Sequence, residues 1–145
     1  MISWIRRLPD DIIREYILPY TYQLQSPELC KDIQTYYTTL QELSDVYKKK
    51  HTTYKNEDKE WLLYDIIVFM NNHTSIVFGY KDTYIQWFRR LYMLQNASRD
   101  QIIQLSKSSR WYFTRKIYGH IALMKPNERE DLKSCLMVDS CNYTD

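Results

Sequence analysis

Three kinds of side chain in this sequence bear on chemistry: scattered histidines and cysteines, a lone cysteine near a helix start, and a run of arginines among aromatics. A zinc site needs three or four Cys, His or carboxylate ligands converging in space. His51, His73 and His120 are far apart, and Cys135 and Cys141 are separated by five residues. His120 follows Gly119 on a predicted helix and has no ligand-type residue one turn on. The pattern points to dispersed core and surface residues, with no metal and no cofactor. Cys30 has Lys31 and Asp32 beside it at the start of a helix, where a thiol pKa can fall. No base is identified for it, so a structural cysteine is the better reading. The chain holds no GxSxG, HExxH, Walker or GxGxxG pattern. No enzyme activity is expected.

The arginine run is more telling. Arg89 and Arg90 stand among Trp87, Phe88 and Tyr92, and a second group follows at Arg110, Trp111, Tyr112, Phe113, Arg115, Lys116 and Tyr118. On a helix Phe113, Ile117, Ile121 and Met124 share one face, predicted to meet the core. Trp111, Arg115 and Tyr118, at i, i+4 and i+7, share another. Arg89, Arg90, Arg110, Trp111, Arg115, Lys116 and Tyr118 thus make a candidate basic-aromatic surface. Such a stripe suits stacked bases and phosphates. It equally suits a protein partner, for which Trp, Tyr and Arg are the usual anchors, or packing inside the fold.

The charge distribution sharpens this choice. The 145 residues carry a formal net charge of +2, but the charge is segregated. Residues 1–80 hold nine Lys/Arg against eleven Asp/Glu, residues 81–125 nine against two, and residues 126–145 two against five. A basic middle between acidic flanks is either self-complementary within one fold or a surface for an acidic partner.

The elements that must position these residues are helical. Two glycines and four prolines argue against a sandwich or a Gly-rich phosphate loop. Leu8-Pro9-Asp10-Asp11 opens a short helix, with Pro9 first and the aspartates at the positive end of its dipole. Ser26 caps the clearest helix, over 27–50, roughly 36 Å long. Leu29, Ile33, Tyr36, Leu40, Leu43 and Tyr47 recur in it at heptad spacing, and Lys48, Lys49 and Lys50 close it. The stripe predicts packing along another helix, most simply the next in the chain.

A helix from Asn56 has Trp61 to Met70 apolar almost all round, the expected centre of the core. Asp65 within it needs a donor from a neighbouring helix. Ser75 to Phe78 reads as a packed connector. Further helices are expected from Asp82 to about Leu94, from Ser98 with a Ser98–Gln101 capping box to about Leu105, over 109–124, and from Asn127 to about Val138. The fold class is therefore all-α: a compact bundle of about seven helices in a single domain, one of them long and heptad-patterned. Residues 8–50 form its N-terminal part and 56–138 the remainder, with the basic segment at 81–125.

Leu8-Pro9-Asp10-Asp11-Ile12-Ile13, then Pro19-Tyr20-Thr21-Tyr22, then Leu29-Cys30-Lys31-Asp32-Ile33 resemble the N-terminal stretch of F-box-like proteins of giant DNA viruses. The Tyr-, Ile-, Lys- and Asn-rich composition agrees with that resemblance. It implies an adaptor that docks apolar helix residues onto a Skp1-type protein. By position Leu8, Pro9, Ile12, Ile13, Ile17 and Leu29 form the docking set. The linker between the first two helices is about five residues longer than the family's, and the long heptad helix replaces two shorter ones. The likeness covers about 30 residues.

The function expected is non-enzymatic protein–protein interaction, with nucleic-acid binding or virion association through the basic face as the alternative. No stretch is apolar for long enough to cross a bilayer, so no membrane partner is expected. The N-terminus lacks a secretory core and the cysteine count is odd, so an intracellular place (host cytoplasm, nucleus or virion) is expected rather than secretion.

Overall fold

A computed structural model describes residues 9–17, 25–50, 57–108 and 112–138. Seven α-helices and two 3-10 turns account for most of them, and no strand occurs among the described residues. The helices are α1 (Asp10–Ile12), α2 (Pro27–Lys50), α3 (Glu57–Met70), α4 (Asp82–Arg89), α5 (Arg99–Lys107), α6 (Phe113–Ala122) and α7 (Pro126–Val138). The chain is all-α. It divides into two units, Met1–Cys30 and Lys31–Asp145.

In the first unit α1 is a single turn that runs on as a π-helical stretch, Ile13–Ile17. Ser26 accepts the Leu29 backbone N–H at 3.2 Å and so caps α2, as its position beside Pro27 predicts. None of the described residues of this unit is buried.

The second unit is built around α3. Its residues Leu62, Leu63, Ile66, Ile67 and Met70 are buried, a stripe two residues wide at helical spacing. It packs chiefly against α6 and also meets α4 and α7. Ile102, Ile121 and Leu132, from α5, α6 and α7, complete the solvent-free centre. Trp61, the first apolar residue of the predicted all-round segment, is half exposed.

The heptad stripe of α2 is covered in its C-terminal half, where Leu43 and Tyr47 are buried. Ile33 is exposed, and Tyr36 and Leu40 are half-buried. The helix is tied to α3 by the Tyr47 hydroxyl, which donates to Asp65 Oδ2. That bond supplies the donor Asp65 requires. It is tied to α7 by Arg129 and by Lys133, whose Nζ lies 3.0 Å from Glu42. The next helix in sequence is therefore one partner of α2, not the whole of its packing.

Three connections depart from expectation. Of the connector Ser75–Phe78, only Ile76 joins the core; Val77 and Phe78 are exposed. A three-residue 3-10 turn eclipses side chains at i and i+3 and has no second turn on which to bury the others. The helix from Asp82 ends at Arg89, and a separate 3-10 turn, Tyr92–Leu94, leaves Tyr92 and Met93 exposed. The last helix starts at Pro126 rather than Asn127, and Glu128 accepts the Lys125 backbone N–H at 2.7 Å. The Ser98–Gln101 capping box is present as predicted.

Asn71, fully buried, organises the turn between α3 and α4. Its Nδ2 donates to the carbonyls of Thr74 and Gly79 at 2.8 and 3.0 Å, and its Oδ1 accepts the Lys81 N–H at 2.7 Å. Gly79 has φ +93°, a conformation that L side chains rarely adopt. Replacing Asn71 by alanine leaves three backbone groups without partners. The expected loss is about 2–3 kcal/mol, at roughly 1 kcal/mol for each net hydrogen bond. Urea unfolding checks it, as a lowered midpoint with an unchanged slope.

Candidate interaction surfaces and a buried polar network

The docking set is exposed at its edge. Pro9, Ile12 and Leu29 are exposed, and Ile13 and Ile17 are half-buried. Tyr16, on the same short helical segment, is 63% exposed. Leu8 lies outside the described residues. Apolar side chains at 12, 13, 16 and 17 give one helical face, of which Ile12 and Tyr16 are exposed and Ile13 and Ile17 half-buried.

The basic-aromatic set is dispersed by the fold. Arg90 makes a two-pronged pair with Glu128, Nη1 to Oε2 and Nη2 to Oε1, each at 2.6 Å. It also donates to the Leu123 carbonyl at 3.1 Å, and its guanidinium lies 4.1 Å from the Trp87 ring centre. Bonding to Glu128 raises the Arg90 pKa. Partial burial pushes the Glu128 carboxyl up, but the bonds from Arg90 and the Lys125 N–H outweigh it and hold it below its usual value. Arg90 thus serves the acidic C-terminal flank.

Arg89 is half-buried. Arg115 is exposed and Lys116 half-buried, while Tyr118 is 48% exposed. Arg110 and Trp111 lie outside the described residues. On the opposite face of α6, Ile117 and Ile121 are buried as predicted, as is Met124 just past the end of the helix, but Phe113 is exposed. It is the first residue of α6, where the helix has no preceding turn to carry the face inward.

Tyr118 instead joins a groove. Tyr36, Tyr37, Leu40, Leu62, Ile117 and Tyr118 are among its lining, and its volume is about 590 Å³. Burial raises the Tyr36 hydroxyl pKa, and the neighbouring Tyr118 and Tyr37 raise it further. A second groove of about 340 Å³ has Tyr64, Asp65, His73 and Cys135 in its wall. The Tyr64 hydroxyl there is 2.7 Å from Ser75 Oγ. Among the described residues, no group of three His, Cys, Asp or Glu side chains is placed to hold a metal.

Two buried polar networks were not read from the sequence, one centred on Arg129 and one on His120. Arg129, on α7, is 2% exposed. Its Nη1 donates to Asp32 Oδ1 at 2.7 Å, to the Asp32 carbonyl at 2.8 Å and to Thr35 Oγ1 at 3.0 Å. Its Nε donates to the Ile121 carbonyl at 3.2 Å, and its guanidinium lies 5.5 Å from the Tyr36 ring centre. One cation thereby joins α2, α6 and α7. The available signal was its spacing: Arg129, Leu132 and Leu136 share the buried stripe of α7, a place where a cation needs built-in acceptors.

The other is His120, 4% exposed on α6. Its Nδ1 is 2.6 Å from the Lys116 carbonyl, and its Nε2 is 3.0 Å from the Tyr84 hydroxyl of α4. That hydroxyl is in turn 2.6 Å from Ser106 Oγ of α5. Burial lowers the His120 pKa and raises that of Tyr84. In sequence Tyr84, Ser106 and His120 lie far apart, and only the packing of three helices brings them together.

No family model, no curated protein and no solved structure matches the chain. Among the described residues, no helix is long and apolar enough to cross a membrane.

Proposed function

We propose that the protein is a non-enzymatic interaction module that acts inside a host cell, an F-box-like adaptor of viral type. Its docking edge lies within residues 8–33, with Leu8, Pro9, Ile12, Ile13, Ile17 and Leu29 as the docking set. The observation that carries this reading is the contrast between its two units. Lys31–Asp145 buries a full apolar core, whereas no described residue of Met1–Cys30 is buried although Ile12, Tyr16 and Leu29 are large and apolar. Exposed apolar helix residues of this kind are anchors for a partner's groove. The resemblance of the LPDDII, PYTY and LxxDI stretches to the F-box-like family supplies the partner class, a Skp1-type protein.

Nucleic-acid binding is the second reading, favoured by the exposure of Arg115 and Tyr118 on α6. It ranks lower because Arg90 is committed to Glu128 and Arg99 to Asp82, at 2.5 Å.

Pull-down with a host Skp1-type protein separates these readings. Wild type is expected to retain it, and the double variant Ile12→Asp, Ile17→Asp to lose at least about tenfold in recovery, since each buried charge at an apolar interface costs more than 1.4 kcal/mol. Neither position is buried, so the helical circular dichroism should be unchanged. Equal recovery by both proteins, or by neither, removes the adaptor reading. For the second reading, Arg115→Glu should abolish retention on nucleic acid; unchanged retention removes it.

A further inference from the structure

The polarity of the Ser106–Tyr84–His120 chain is fixed by its end. The Lys116 carbonyl can only accept, so Nδ1 of His120 carries the proton and the neutral ring presents a bare Nε2. Tyr84 must then donate to Nε2, and Ser106 can donate to Tyr84. Each link joins a different helix: α5 to α4, and α4 to α6. The geometry points to a proton-operated lock, in which uptake of one proton at His120 releases α4 and α5 from α6.

Among the described residues, the groups packed around the ring supply no counter-ion. From α4 it meets Tyr84 and Phe88, whose ring lies 5.5 Å away and perpendicular to it, with Tyr80 beside Tyr84. From α5 it meets Ser106 through Tyr84. On its own helix the group acting on it is Lys116, a like charge. From α7 the Arg129 guanidinium, again a like charge, bonds the carbonyl of the adjacent Ile121. The buried residues of α3, which packs on α6, are Leu62, Leu63, Ile66, Ile67 and Met70, and its Asp65 is bonded to Tyr47. A protonated ring would put a second N–H against the Tyr84 hydroxyl, which must turn round and donate to Ser106 instead.

The sign follows from burial. Burial holds the folded-state pKa of His120 below the usual histidine value of about 6.5, so the closed state binds fewer protons than the open one. The lock is fully stabilised above pH 6.5 and weakens as pH falls through 6.5 toward the lowered value. Helix α6 also supplies Thr114, Ile117 and Tyr118 to the 590 Å³ groove. Acid release therefore reshapes that groove's wall.

Hydrogen exchange of the full chain between pH 7.5 and 5, corrected for intrinsic rates, tests this. In wild type the opening constant of residues 84–88 and 117–121 should rise below pH 6.5, by at most about tenfold per pH unit, while residues 132–136 of α7 keep their protection. His120→Gln, neutral but still able to accept from Tyr84, should abolish the pH dependence. Three results would each overturn the lock: pH-independent opening in wild type, an equal response in His120→Gln, or loss spread evenly over all helices.

Discussion

Arg129→Ala is expected to destabilise the fold by about 2–4 kcal/mol. The side chain is 3% exposed, and its loss takes the cation from the Asp32 carboxylate and one donor each from two backbone carbonyls and the Thr35 hydroxyl. Bonds to a charged group contribute roughly 1.5–3 kcal/mol each before compensation. Breaking a fully buried pair costs about 3–5 kcal/mol. The lower range applies because the Asp32 side chain is 45% exposed and regains water. Arg129→Lys should rescue little, since a single ammonium cannot reproduce donation from both Nε and Nη1. The reverse change, Asp32→Ala, should cost less, because the Asp32 and Ile121 carbonyls and Thr35 Oγ1 still accept from the guanidinium. Urea unfolding gives the order directly. A loss under about 0.5 kcal/mol for Arg129→Ala, typical of a surface position, would mean that the cation does not hold α2, α6 and α7 together.

Ile66→Ala should have an effect of similar size for a different reason. Ile66 is fully buried near the middle of α3, the helix that meets α4, α6 and α7. Removing its branched side chain forfeits transfer energy and leaves a cavity, together about 3–4 kcal/mol. Ile66→Val removes one methylene and should cost about 1 kcal/mol. Trp61→Ala, five residues earlier on the same helix but half exposed, should cost less than Ile66→Ala despite its greater size. If the tryptophan change proves the larger, α3 does not present the face described.

The helices were legible in the sequence because capping and periodicity act locally. Ser26, the Ser98–Gln101 box and the lysines at 48–50 mark ends whose unpaired backbone groups any helix must satisfy. The apolar run at 61–70 marked the central helix because its composition alone demands burial. Long-range pairing was not legible. Nothing local to Arg129 announces Asp32, ninety-seven residues away. The tie that Asn71 makes in its turn was not legible either, because it depends on Gly79 and Lys81 returning to it. The basic segment looked like one surface because charge was counted along the chain. Folding turned Arg90 toward Glu128, and the 4.1 Å stacking on Trp87 uses the very aromatic that suggested a nucleic-acid face.

The proposed docking edge is different in kind. Its apolar residues were legible by type and spacing, and their exposure is what gives them a use. Apolar docking and phosphate contact respond to salt in opposite ways: the first is nearly indifferent, whereas each phosphate neutralised steepens the loss of affinity. The most direct measurement is therefore the equilibrium affinity of the full chain for a Skp1-type protein and for duplex DNA, at about 50 and about 200 mM salt. The interaction-module account expects measurable Skp1-type binding that changes less than about threefold over that range. Absence of that binding, together with DNA binding that falls by about a hundredfold or more, would contradict it.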